Sequence, residues 1–126
     1  MPHHVSRARF AELVEQALAE MPEQFAQFLE EVPVEIKDRP SRKQLRSLGM
    51  EDDELLLGLY HGRPRTERSV LDSAAMPDVI YIFQEDVELV SDSEAELVRE
   101  VRTTVLHEIG HHFGMSEEDL DDLGYG

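Results

Sequence analysis

Hydrophobic residues near the start of the chain recur every three or four positions, which is the spacing of one helical face. Over residues 6–21 this spacing predicts an amphipathic helix, and Ser6 is a suitable residue to cap it. Pro22 then predicts the first position of a shorter helix over the segment PEQFAQFLEE. The apolar face of the first helix consists of Phe10, Leu13, Val14, Ala17, Leu18 and Met21.

The pattern after the second helix changes to the alternation and short apolar runs that are typical of strands. Residues 32–36 alternate, and Pro33 favours a sheet edge because proline has no N–H to donate to a ladder. Residues 55–60 predict a second strand, and the run VIYIF at 79–83 predicts a central strand buried on both faces. Loops are predicted over residues 38–54, with room for a helical turn, and over residues 62–77.

A long helix is predicted near the end of the chain, over roughly residues 94–113. Ser93 and Glu96 have the spacing of a capping box at its start, and Gly114 is suited to end it. A short helical turn follows over residues 116–123. The predicted fold class is therefore α+β, with a sheet of about three strands packed with an N-terminal helix and this long helix.

The length predicts a single domain, residues 1–126. Its composition excludes several classes of function and of metal site. The absence of cysteine excludes disulfides, cysteine-ligated zinc and thiol nucleophiles, so that a metal ion needs His, Asp or Glu ligands. The net charge of −16 repels nucleic acid. There is neither a signal-peptide core nor a membrane-spanning apolar run, which predicts a cytoplasmic protein without a membrane partner. His3 and His4 are expected in a frayed terminus.

Candidate chemistry is concentrated on the long predicted helix. His107 and His111 are four residues apart, so their imidazoles leave the same helical face and can bind one zinc ion at about 2.0–2.1 Å. Glu108 projects about 100° away, beside the open coordination position, where it can accept a proton from the activated water. This is the HExxH arrangement of zinc metalloproteases. His112 leaves another face and is interpreted as a supporting or surface residue.

The string HEIGHHFG at residues 107–114 resembles the core motif of the small bacterial zincin-like metallopeptidases, also called minimal zincins. Two further segments are similar to the same family: GLYHGRPRTERS at 58–69 and PDVIYIF at 77–83. The likeness covers about residues 55–119. It implies a compact α+β fold with a short sheet beside the metal-bearing helix, together with peptidase-like chemistry.

The family motif HExxHxxGxx is followed by an acidic residue, and Glu117 stands at that position. The resemblance therefore implies that Glu117 is the third metal ligand, with Glu118, Asp119 and Glu67 as alternatives. A purely structural interpretation is also open, because Ser116 is a good N-cap and Glu117 would then be an acid in the first turn of a helix.

The favoured hypothesis is a zinc-dependent metallopeptidase that hydrolyses a peptide or protein substrate, with Glu108 as general base. The alternative is a non-catalytic metal-binding or protein-interaction module on the same fold, which the lack of an evident oxyanion-stabilising residue favours. Sites built from two histidines and one carboxylate also accept nickel, manganese or iron. Substrate and oligomeric state stay open.

Overall fold

The computed structural model describes residues 2–62, 78–112 and 118. The regular elements of these residues follow one another in the order α1 (Arg7–Ala19), α2 (Glu23–Glu31), β1 (Val34–Lys37), α3 (Arg42–Ser47), β2 (Gly58–His61), β3 (Val79–Phe83), α4 (Gln84–Leu89) and α5 (Glu94–His112).

The sheet has three strands in the order β1-β3-β2. Strand β1 runs parallel to β3, whereas β2 is antiparallel to it. The prediction that 79–83 is the central strand is confirmed, and its residues Val79, Ile80, Ile82 and Phe83 are buried. Within the described residues β1 pairs with β3 alone, as predicted for a strand at a sheet edge after Pro33.

Helices α1 and α5 enclose the core together with the sheet. The predicted cap of α1 is confirmed, because the Ser6 hydroxyl accepts a hydrogen bond from the Arg9 backbone N–H. At the start of α5 the Ser93 hydroxyl accepts from the Glu96 N–H, while the Glu96 carboxylate accepts from Asp92 instead of closing the box on Ser93. The predicted α+β class, with its short sheet and its two main helices, is confirmed. No helix in the described ranges is long and apolar enough to cross a membrane.

The loop predicted over 38–54 contains a short helix, α3, in agreement with the helical turn for which the prediction left room, and its N-terminus is closed by a capping box between Ser41 and Gln44. Two predicted boundaries differ from the structure. Pro22 is the N-cap of α2 and not its first helical residue. Strand β2 begins at Gly58 and not at residue 55, because β3 ends at Phe83 and the chain beyond it is helical, while the Leu56 N–H donates to the buried Asp86 carboxylate.

Helix α4 was not predicted, and it fixes the N-terminal segment. Its buried Glu88 carboxylate bonds the His4 ring and the Val5 backbone N–H, each at 3.0 Å. The Gln84 side chain donates both to Val5 O and to Glu88. The expectation that His3 and His4 lie in a frayed terminus is therefore wrong, because these hydrogen bonds satisfy a carboxylate that would otherwise be buried alone.

Several predicted features lie outside the described residues. They are the loop over 63–77, the end of the long helix at Phe113 and Gly114, and the helical turn over 116–123, of which the structure describes Glu118 alone.

Helix α5 and strand β2 are in close contact at Gly58. A Cβ atom at this position would lie 2.5 Å from Thr104 Cγ2 on α5 and 2.9 Å from the Tyr81 carbonyl oxygen. Distances this short leave no room for a side chain between the strand and the helix. The glycine therefore permits the spacing that brings β2 beside the residues of the HExxH motif.

Gly58→Ala is expected to lower the free energy of unfolding by about 1–3 kcal/mol, the usual cost of overpacking a tight contact. Thr104→Ser removes the methyl group that the new Cβ would meet, so the double variant should recover part of the loss. Urea unfolding of Gly58→Ala and of the double variant, with Thr104→Ser alone as control, measures these free energies of unfolding. An unchanged midpoint for Gly58→Ala would show that the strand and the helix are not in contact there.

Candidate metal centre

Helix α5 carries the two histidines of the motif, His107 and His111, on the side that faces away from its core contacts. Val105, Leu106 and Ile109 are buried in the hydrophobic core, which fixes the rotation of the helix about its axis. His107 is consequently half-buried, and the His111 side chain is 55% exposed. Both imidazoles can therefore be reached by an ion from solvent.

The two histidines lie next to each other, as the four-residue spacing predicts. Their ring centroids are 6.4 Å apart and their planes differ by 22°. Imidazole nitrogen is a preferred ligand of zinc, and the pair lies in the final turns of α5, where the helix dipole favours a positive charge. The donor chemistry and the spacing of the rings thus fit a divalent metal ion held by His107 and His111.

Glu108 lies between the histidines and the sheet. Its side chain is 18% exposed, with Oε2 3.7 Å from His111 Nδ1. Its Oε1 accepts a hydrogen bond of 3.0 Å from the backbone N–H of Tyr60 on β2. Burial raises the pKa of the Glu108 carboxyl above its usual range, and the Tyr60 hydrogen bond and the nearby histidines offset only part of that rise. A carboxyl group whose pKa is raised in this way is suited to accept a proton.

The contact between Glu108 and Tyr60 was missed by the sequence reasoning. A backbone N–H is present at every non-proline residue, so nothing in the residue types marks Tyr60 as the donor. The strand itself was predicted from residues 55–60, and the resemblance of segment 58–69 to the family was the signal in the sequence that related it to the site.

His112 belongs to an aromatic cluster and not to the histidine pair. Its ring stacks on Tyr60 with centroids 4.6 Å apart and lies 5.1 Å from the Phe28 ring. This agrees with the interpretation of His112 as a supporting residue. The cluster joins the last turn of α5 to both β2 and α2, and so holds β2 beside Glu108.

The third ligand is not among the residues brought together in the described part of the chain. Within that part, no group of three or more His, Asp or Glu side chains is arranged to hold a metal ion. Glu118 is described, exposed, and does not join the histidine pair in such a group. Glu117, Asp119 and Glu67 lie outside the described residues. The assignment of Glu117 therefore stays a prediction.

The sequence was also compared with models of known protein families. The model of the zincin-like metallopeptidases matches residues 29–126, which is more than half of the chain and includes β2, β3 and the whole of α5. The chain belongs to the zincin-like metallopeptidase family. The resemblance drawn from the sequence is thereby confirmed.

The fold of this zincin-like chain is also found in a solved structure. It is similar to a conserved hypothetical protein from Thermo thermophilus, with a TM-score of 0.56 and 23% sequence identity. The match covers 86% of this chain and 94% of the other. At this level of identity the likeness supports the fold alone. No curated protein matches the chain.

Proposed function

We propose that the protein is a zinc-dependent metallopeptidase. His107 and His111 hold the ion, Glu117 is the third protein ligand, and Glu108 is the general base. The observation that carries the proposal is the position of Glu108, whose mostly buried carboxylate lies 3.7 Å from His111 and 3.0 Å from the Tyr60 N–H of β2. Membership of the zincin-like family supports the same reaction class.

The reaction needs one group that moves protons, and Glu108 has the environment for it. His107 and His111 would hold the zinc ion, whose positive charge would lower the pKa of water to about 7 and polarise the scissile carbonyl. Glu108 accepts a proton from the attacking water, whose oxygen bonds to the carbonyl carbon. The carbon–nitrogen bond then breaks, and Glu108 returns the proton to the leaving amine.

The substrate that suits this site is a peptide in extended conformation. The Phe83 N–H donates to Leu57 O, so the alternation of an antiparallel ladder directs the peptide groups of Gly58 and Tyr60 away from β3. Among the described strands, none pairs with that side of β2. A peptide adding there as a further strand would run past Glu108 and the histidine pair.

Zinc-dependent cleavage of peptides tests the proposal. The protein is loaded with zinc and incubated with a peptide library, and new chain ends are identified by mass spectrometry. We expect cleavage that a chelator abolishes and that added zinc, but not magnesium, restores. If zinc binds and no new ends depend on it, the non-catalytic metal-binding module becomes the better description.

A further inference from the structure

The backbone N–H of Tyr60 occupies an unusual place in the molecule. It lies on the side of β2 that faces away from β3, since the neighbouring pairs Leu57–Phe83 and Leu59–Tyr81 carry the ladder hydrogen bonds. Its acceptor is a side chain of another element, Glu108 of α5, at 3.0 Å. Glu108 Oε1 therefore lies where the carbonyl oxygen of an added strand would lie.

The same contact fixes the carboxylate. Oε1 is bound to Tyr60, and Oε2 is 3.7 Å from His111 Nδ1 on the adjacent turn of the helix. A hydrogen bond between a charged carboxylate and a backbone N–H is about twice as strong as a neutral one. One N–H cannot make a full hydrogen bond both to Glu108 and to the carbonyl of an incoming peptide, so the two acceptors compete.

We propose that the Tyr60 N–H is a latch for the general base: it holds Glu108 by a hydrogen bond, and an extended peptide breaks that bond by adding to β2. The peptide carbonyl takes the N–H, and Glu108 is released toward the reacting water. Tyr60 is thus a positioning residue, acting through Glu108, and the site is fully competent only when a peptide lies on the edge strand. This inference rests on the proposed function for the identity of the base and of the substrate.

The latch has two consequences that can be measured without metal and without turnover. In the metal-free protein, Glu108→Ala should speed hydrogen exchange of the Tyr60 amide by about tenfold or more, because its acceptor is gone. The Phe83 amide, which donates to Leu57 in the same strand pair, is the internal control and should keep its rate. Equal exchange of Tyr60 in both proteins would overturn the latch.

The second consequence concerns peptide affinity. The probe is an acetylated heptapeptide amide of alternating valine and threonine with a lysine at each end, titrated by NMR into metal-free protein. Removing the competitor should tighten its binding about tenfold in Glu108→Ala. Glu108→Gln, which keeps an oxygen acceptor without the charge, should fall between that variant and the wild type.

A residue with a merely structural role would not raise affinity when it is removed, so the direction of the change separates the two interpretations. Equal or weaker binding to Glu108→Ala, or no binding to either protein, would contradict the proposal. Because no step uses zinc or cleavage, a latch found in a protein without hydrolytic activity would refute the proposed function and leave the latch standing.

Discussion

Glu108→Gln is expected to lower the rate of peptide hydrolysis by about 10²–10⁴-fold, the usual contribution of a general base. The amide has nearly the same shape as the carboxylate and can still accept the Tyr60 hydrogen bond, but it cannot take a proton from water. Zinc content and melting temperature should stay at the wild-type values. The measurement is the initial rate on a cleaved peptide, with zinc determined on the same samples.

Glu100→Gln is the matched control, since it makes the same substitution on the same helix two turns away from the motif. It should leave the hydrolysis rate unchanged. Loss of zinc from Glu108→Gln would reassign Glu108 as a metal ligand. Activity that survives in Glu108→Gln would remove it from the role of general base.

Glu117→Gln is expected to weaken zinc binding by well over the roughly 10–100-fold that is typical of changes to residues supporting a ligand. Two histidines leave a catalytic zinc site one protein ligand short of the usual three, and the family motif puts an acidic residue at Glu117. Competition with a chelating dye measures the dissociation constants of both proteins.

The structural interpretation of Glu117 predicts a different magnitude. An acid in the first turn of a helix contributes at most about 1 kcal/mol through the helix dipole, and its loss leaves metal affinity alone. Asp119→Asn is the matched control and should bind zinc like the wild type. A change under about threefold for Glu117→Gln would exclude it as a ligand. Asp119, Glu118 and Glu67 would then be tested by the same competition.

The elements that could be predicted from the sequence are those whose buried faces are apolar. The pattern of hydrophobic residues marks α1, β3 and the described part of α5, because packing against the core requires apolar side chains at those positions. Helix α4 could not be found in this way. Three of its four buried residues are the polar Gln84, Asp86 and Glu88, so no apolar period marks the helix.

The start of β2 shows why a boundary is harder to predict than an element. Residues 55–57 have the composition of a strand, but the partner strand β3 ends at Phe83, opposite Leu57, and the chain continues from there as α4. The parallel pairing of β1 with β3 is equally a property of the folded chain. In each case the deciding partner is distant in sequence, and local propensity carries no information about it.

The candidate site likewise has one part that the sequence predicts and one part that depends on the folded chain. The spacing of His107, Glu108 and His111 predicts a shared helical region, and the structure brings them together there. The Tyr60 N–H is a generic backbone group 48 positions away from Glu108. Only the packing of β2 on α5, which Gly58 permits, makes it the neighbour of the general base.

Metal content tests the central claim most directly. Protein prepared without a polyhistidine tag is dialysed, and its zinc is determined for wild type, His107→Ala and His111→Ala. His112→Ala is the control, because this neighbouring imidazole stacks on Tyr60 and belongs to the aromatic cluster. The account predicts about one zinc per chain in the wild type and in the control, and almost none in the other two variants. Equal zinc content in all four proteins would contradict it.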